Sequence, residues 1–241
     1  MDQQLTSTQK ANLHEIADLM LEIYQTLANM RFLNPAGIIK GPHNTDNALE
    51  LYQELGLDPS IIYLYSILPY IESPLAGQPD FFKGGIFTDF RRLDDIEEGR
   101  DPFHICPGDD DYEDEDGPYM RPWVTPLSLL GNHQSVILYD ARRHQIWIID
   151  QESWNTTDPA LRNSSDRAAG DEYEYDPLVS FIGDNAWWWE NSGREWDSDE
   201  LPLRELYSKH GWPDNFNGDA FEIDQLRLVE DAQRQNGEDA T

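Results

Sequence analysis

The residues of this chain best suited to acid–base chemistry lie near two runs of β-branched and aromatic residues. Asp140 and Asp150 each end one of these runs, and His133 and His144 are close to them in sequence. A carboxylate that orients a histidine is a common acid–base pair. If the two runs form a hairpin, however, Asp140 lies beside the turn and Asp150 at the opposite end. The pattern therefore favours a structural role, in which each aspartate accepts hydrogen bonds from nearby backbone groups.

A dense run of negative charge is the second candidate for chemistry. Its carboxylates are Asp109, Asp110, Asp111, Glu113, Asp114, Glu115 and Asp116. Such a run cannot pack, because neighbouring carboxylates repel one another and each would need a partner. It must be solvated, bound to cations or laid against a basic surface. The run lacks the central glycine and the terminal glutamate spacing of an EF-hand loop, so no dedicated calcium site is predicted.

Nucleophilic and cofactor chemistry find little support. A reactive cysteine needs cationic neighbours, whereas His104 and Cys106 precede the acidic run. The sequence contains no nucleophile elbow, no phosphate-binding loop, no dinucleotide fingerprint and no His-Glu-x-x-His motif. We therefore predict no catalytic residues, no metal site and no cofactor.

Three consecutive tryptophans, Trp187, Trp188 and Trp189, form the third candidate. On a helix they point about 100° apart, so all three cannot face one core. One interpretation places at least one of them in a groove or at an interface, where tryptophan is enriched. The other has all three packed under loops of a large fold, and the sequence leaves both open.

The charge balance is the feature of the sequence that best indicates the kind of partner the protein binds. The 241 residues carry 17 Lys and Arg against 47 Asp and Glu, for a formal net charge of −30. A negative exterior repels phosphates, which argues against direct binding of nucleic acid, and it favours fast association with basic proteins. Acidity that serves solubility alone is the other interpretation. The single cysteine, the lack of a visible signal peptide and the lack of a membrane-length apolar run predict a cytoplasmic or nuclear location.

The amino-terminal part predicts helices. Apolar residues recur at helical spacing over 13–30, and Asn12 with Glu15 forms a possible capping box. Thr45 is expected to cap a helix over 46–55 that Gly56 ends. Asp58-Pro59 is expected to start another over 61–68, although the isoleucines and tyrosines of that stretch also suit a strand.

The remaining chain predicts a hairpin, long loops and more helices. The runs 135–140 and 145–150 are typical of antiparallel strands covered on both faces. Residues 94–98 resemble one helical turn, and 99–118 are expected to form an exposed acidic loop. Further helices are predicted over 176–189, over 201–210 with a stop at Gly211, and from Ala220 to about Arg234. We predict one α+β domain over 1–234, with a central antiparallel sheet flanked by N-terminal and C-terminal helices, and a flexible tail at 235–241.

Several short motifs resemble the SUKH superfamily, which joins fungal cell-wall-assembly regulators with bacterial toxin-immunity proteins. They are Phe82-Lys83-Gly84-Gly85, Trp123-Val124-Thr125-Pro126-Leu127 and the Gly-Asn-His turn at 131–133, followed by the hairpin. The resemblance covers about 45–190, and the segments 38–43 and 210–213 point to a divergent fungal member. It implies an α+β fold without catalytic machinery and a role in binding proteins. The acidic insertion after Cys106 departs from the family pattern.

Three hypotheses follow. The first is a non-enzymatic intracellular interaction protein whose acidic surface, with the acidic run and the three tryptophans, binds a basic protein. The second is a hydrolase or transferase with a site in an aromatic cleft near Trp123, His133 and Trp187. The third is a DNA-mimicking inhibitor, which requires carboxylates spaced like phosphates. A shallow acidic groove favours binding, whereas a deep cleft with a histidine–carboxylate pair favours catalysis.

Overall fold

The structure, a computed structural model, has a mixed α+β architecture and describes residues 5–77, 81, 85–100, 120–129, 135–150 and 203–238. The helices in these ranges are α1 (Ser7–Asn29), α2 (Leu49–Glu54), α3 (Pro59–Ile67), α4 (Ser73–Ala76), α5 (Leu93–Glu98), α6 (Leu203–Lys209) and α7 (Gly218–Glu238). The strands are β1 (Ile38–Ile39), β2 (Tyr70–Ile71), β3 (Ile86–Phe87), β4 (Val124–Pro126), β5 (Ser128–Leu129), β6 (Ser135–Asp140) and β7 (Gln145–Asp150).

The prediction of one central sheet is wrong. The described strands form three small antiparallel sheets, β1–β2, β3–β5 and β4–β6–β7. The strands outside the hairpin are only two or three residues long. Strands this short cannot form a wide ladder, so they make local pairs between helices instead of extending the hairpin into one sheet.

The hairpin itself is confirmed with the predicted bounds. Ser135 pairs with Asp150 and Asp140 with Gln145, and β6 lies between β4 and β7. Four consecutive residues of β6, from Val136 to Tyr139, are fully buried, so this strand is covered on both faces as predicted. Among the described strands, β7 lies at the edge of its sheet rather than at the centre.

The first helix is longer than the apolar pattern predicted. It begins at Ser7, where Thr6 and Gln9 form the capping box that we had assigned to Asn12 and Glu15. The first turns carry polar residues and bury none before Leu13. Hydrophobic periodicity therefore cannot detect them, although the Thr-x-x-Gln spacing is itself a start signal.

The caps of the next helices are partly as predicted. Asp58 caps α3 by accepting a hydrogen bond from the Ser60 amide at 3.0 Å, and Pro59 is its first residue. Thr45 makes no capping hydrogen bond. The segment 46–48 is a 3₁₀ turn, and the Asp46 amide donates instead to Asn44 Oδ1. Gly56 has the positive φ of +60° expected for a residue that ends a helix.

The main core lies where α1 crosses α3 and the strands. Its fully buried aromatic residues include Tyr24, Tyr65, Tyr70 and Phe90, and the rings of Tyr65 and Phe90 stack at 4.0 Å. The hairpin joins the same core through Ile137, Tyr139 and Ile146. These contacts fix the elements that carry the cleft described below.

A second, smaller core joins the two ends of the described chain. Tyr207 of α6 stacks on Phe221 of α7 at 4.1 Å, and both pack with Met30 at the end of α1. Gly211 ends the segment after α6 with a φ of +85°, as its position predicted. The last helix is capped by Asn217, whose Oδ1 accepts from the Ala220 amide, and it continues to Glu238 rather than ending near Arg234.

The acidic loop does not begin at Gly99. Gly99 and Arg100 follow α5 directly and both are buried, with Arg100 only 2% exposed. The Arg100 guanidinium donates to the Tyr65 hydroxyl at 3.3 Å. The predicted helix over 176–189 lies outside the described residues, as do the acidic run and residues 239–241 of the predicted tail.

Candidate binding cleft

The residues that the sequence singled out for binding lie outside the described ranges. They are Asp109, Asp110, Asp111, Glu113, Asp114, Glu115, Asp116, Trp187, Trp188 and Trp189, and the same holds for His104, Cys106 and His133. Their roles stay predictions.

The two hairpin aspartates are apart, as the sequence predicted. Asp140 is buried and accepts hydrogen bonds from the amides of Arg142 and Arg143 at 2.8 and 3.1 Å. His144 does not contact it in the described structure: its ring bonds the Tyr139 hydroxyl at 2.9 Å and Glu15 at 3.2 Å. Asp140 therefore stabilises the turn, which is the structural role that we favoured.

Trp123, a member of the predicted aromatic cleft, is covered by a cation. The Arg142 guanidinium lies 3.4 Å from the centre of its ring and reaches Asp58 at the same distance. The pair ties the hairpin turn to the start of α3. Trp187 and His133, the other two members, lie outside the described residues. The enzyme hypothesis, which needs all three residues in one cleft, therefore stays a prediction.

A cleft of about 520 Å³ opens between α4, α5 and the β3–β5 sheet. Its floor is apolar, with Ile71, Phe87 and Leu129 buried beneath it. Its charged lining comes from Glu72 before α4, from the loop after β3 and from α5. These residues are Glu72, Asp89, Arg91, Arg92, Asp95 and Glu98.

Both arginines of the cleft are engaged by aspartates. Arg91 donates two hydrogen bonds to the Asp89 carboxylate, from Nε at 2.7 Å and from Nη2 at 2.6 Å. This fork-like pair raises the pKa of Arg91, chiefly through the hydrogen bond to Asp89. Arg92 Nε lies 3.4 Å from Asp95 Oδ1, but its side chain is 65% exposed, so this pair is weak.

Asp95 is the buried carboxylate of the cleft. Its Oδ2 accepts a hydrogen bond from the Asp89 amide at 2.8 Å. This bond holds the loop before α5 in place. Burial raises the pKa of Asp95 above the ordinary aspartate value, and the amide of Asp89 and the charge of Arg92 oppose that rise. This carboxyl shapes the loop and is not itself presented to the solvent.

Two carboxylates of the cleft form no ion pair with a described residue, although the charge of Glu72 acts on Arg91 and contributes to its raised pKa. Glu72 and Glu98 are exposed and have no ion pair with any described side chain, whereas both arginines are already paired. Exposed apolar residues lie on the same elements: Leu75 on α4 is 51% exposed, Ile86 on β3 38% and Leu93 on α5 42%. An apolar patch with a charged rim is typical of an interaction surface.

A second cleft, of about 490 Å³, lies between α1, α3 and the segment after β1. It is lined by Lys40, His14, Tyr63 and the carboxylate of Asp18, and the His14 ring bonds the Tyr63 hydroxyl at 2.9 Å. It holds one carboxylate beside a lysine, so it does not share the negative character of the first cleft.

The described part of the chain shows neither a metal centre nor a membrane span. No group of three or more His, Cys, Asp or Glu side chains within the described ranges is arranged to hold a metal ion. None of the helices in those ranges is both long and apolar enough to cross a bilayer.

Comparison with protein-family models, with curated proteins and with solved structures gives no match for this chain. The resemblance to the SUKH superfamily therefore stays an expectation from short motifs.

Little in the sequence pointed to this cleft. Residues 94–98 were predicted as one helical turn, but none of the charged residues around them was predicted to form a site. The available signal was the alternation of acidic and basic residues from Asp89 to Asp95 next to Ile86-Phe87. That alternation does not reveal which charges pair with one another, and the pairing decides which carboxylates stay free.

Proposed function

We propose that this protein is a non-enzymatic interaction module whose acidic surface binds a basic protein partner. The observation that carries the proposal is the cleft between α4, α5 and the β3–β5 sheet, where Glu72 and Glu98 form no ion pair with a described residue and the exposed Ile86 belongs to the lining. The net charge of −30 supports the same conclusion, because it steers basic proteins toward the surface over long distances.

The acidic run and the tryptophans enter this proposal as further contacts. Seven carboxylates over 109–116 extend the negative field. Trp187, Trp188 and Trp189 supply aromatic area of the kind enriched at interfaces. The SUKH-like motifs point the same way, since that resemblance implies a non-enzymatic role in binding other proteins, like that of a regulator or an immunity protein.

The test is an affinity purification at low and at physiological salt, followed by association kinetics with each purified partner. We expect a basic protein whose association rate falls steeply as salt is raised, because the Debye length shortens to about 8 Å at physiological ionic strength. Neutralising the seven carboxylates of the acidic run should reproduce much of that fall at low salt. A partner that is acidic, or one whose association ignores salt, would contradict the proposal.

The enzyme alternative makes an opposite prediction for one residue. A hydrolase or transferase site near Trp123 and Trp187 assigns proton transfer to His133, so His133→Ala should abolish turnover. The interaction proposal gives that residue no chemistry, and binding should survive the change. A basic DNA-binding protein recovered as the partner, and displaced by duplex DNA, would instead favour the DNA-mimicking inhibitor.

A further inference from the structure

The cleft beside α5 combines an apolar floor with carboxylates at its edge. Its floor is Phe87 and Leu129, and Ile86 stands exposed at one side. Its rim carries the carboxylates of Glu72 and Glu98. Long basic side chains bury their methylene groups against apolar surface while the charged end stays at the rim.

We propose that this cleft receives an arginine side chain of the basic partner, with its stem against Ile86 and its guanidinium at the carboxylates of Glu72 and Glu98. This inference rests on the proposed function and adds the place and the chemical class of the contact. The cleft already contains one arginine–carboxylate pair, because the Arg91 guanidinium donates two short hydrogen bonds to the Asp89 carboxylate.

The chemistry favours arginine over lysine. A guanidinium is planar, is weakly hydrated and bonds a carboxylate through two parallel donors. An ammonium is a compact and strongly hydrated charge, so it loses more hydration when it approaches an apolar floor. The exposed Leu75 and Leu93 lie on α4 and α5, the two helices that border the cleft.

Arg92 is the internal competitor for this site. Its guanidinium lines the same cleft and is mostly exposed, and its one ion pair with a described residue is the 3.4 Å contact with Asp95. An incoming cation is repelled by it and attracted by the glutamates. Removing the charge of Arg92 should therefore strengthen binding, whereas removing the charges of Glu72 and Glu98 should weaken it.

The experiment uses three capped pentapeptides that carry arginine, lysine or neutral citrulline between glycines, titrated into the full chain. The readout is the NMR shift of the Ile86 and Leu129 methyl groups. We expect saturable shifts with the arginine peptide, weaker binding by lysine and no binding by citrulline. Glu72→Gln with Glu98→Gln should weaken arginine binding about threefold to tenfold, as expected for two exposed ion pairs.

The controls keep the change in net charge constant. Glu22→Gln with Glu54→Gln removes two exposed carboxylates from α1 and α2, and it should leave the affinity within about twofold. Arg92→Gln should raise the affinity, whereas Arg227→Gln on α7 should not. Equal loss in both glutamate pairs, or methyl shifts that do not saturate, would overturn the inference.

Failure of this inference and failure of the proposed function have different signatures. A basic partner could bind with strong salt dependence and bind the Glu72→Gln, Glu98→Gln variant equally well. That result would support the proposed function and show that the cleft is not the binding site. The absence of any basic partner, together with no arginine-specific shift, removes both.

Discussion

The hydroxyl of Tyr207 donates a hydrogen bond to the backbone carbonyl of Met30 at 2.7 Å, across 177 positions of sequence. Both residues are buried, and burial raises the pKa of Tyr207, so the hydroxyl remains a donor at all ordinary pH values. Nearby, Arg31 contacts Asp219 at 3.0 Å. Arg31 Nε also lies 3.9 Å from Glu222 Oε1, so the end of α1 is joined to the α6–α7 pair by one buried hydrogen bond and two exposed ion pairs.

Tyr207→Phe should lower the free energy of unfolding by about 1–2 kcal/mol, because the buried Met30 carbonyl loses its donor. Tyr63→Phe is the matched control: its hydroxyl bonds His14 at an exposed position, so its loss should cost less than about 1 kcal/mol. Urea unfolding measures both. Equal effects of the two changes would show that the Met30 carbonyl accepts a hydrogen bond from water once the Tyr207 hydroxyl is removed.

The hairpin core gives the largest expected effect. Ile137 is fully buried on β6, its amide donates to Ser128 Oγ at 3.0 Å, and its carbonyl accepts from Leu127. Ile137→Ala should cost roughly 2–5 kcal/mol, as expected for a large-to-small change in a packed core. The exposed Ile86 on β3 is the comparison, and Ile86→Ala should cost less than about 1 kcal/mol. Thermal and urea unfolding that show no difference between them would refute the central position of β6.

Arg100 should be replaceable by an apolar residue without loss of stability. It is 2% exposed, and neither its Nε nor its Nη1 has a hydrogen-bond partner among the described residues. Replacing a poorly satisfied buried charge with an apolar side chain of similar volume is often neutral or stabilising. We therefore expect Arg100→Met to leave the free energy of unfolding unchanged or raised.

Tyr65→Phe is the contrasting change in the same cluster. It removes a buried hydroxyl that bonds Thr125 at 2.8 Å and accepts from Arg100, so it should lower the free energy of unfolding by about 1–3 kcal/mol. A strong loss of stability in Arg100→Met would instead show that the guanidinium has a structural role that Tyr65 alone does not explain.

Asp95 should make stability depend on pH in the direction opposite to that of a salt-bridged aspartate. Burial raises its pKa in the folded state, so the folded chain holds this proton at pH values where the unfolded chain has released it. Its contribution to stability therefore falls as pH rises from about 4 through the folded-state pKa, and it stays low above that.

The measurement is urea unfolding of the native chain and of Asp95→Asn between pH 3 and pH 7. Relative to the native chain, the variant should gain stability as pH rises. Asp94→Asn changes an exposed neighbour in the same helical turn and should show a much smaller change with pH. A variant that loses stability toward neutral pH would mean that the Asp95 charge is stabilised more by Arg92 than burial disfavours it.

Local signals in the sequence determined much of the secondary structure. The two β-rich runs with a polar connector specified the hairpin 135–140 and 145–150, and Asp140 was correctly assigned to the turn. Asp58-Pro59 specified the start of α3, and Gly211 the end of the segment after α6. These features depend on side chains within a few residues of one another, so the local sequence is enough to predict them.

The tertiary structure decided the sheet arrangement and the cleft. The pairs β1–β2 and β3–β5 join segments of two residues each, which are too short to carry a periodic signal. In the cleft, Arg91 pairs with Asp89 and Arg92 with Asp95, whereas Glu72 and Glu98 form no ion pair with a described residue. The sequence determined that the protein is strongly acidic. Which carboxylates are paired within the described fold follows only from distances between residues, because electrostatic interactions depend on separation and burial rather than on order along the chain.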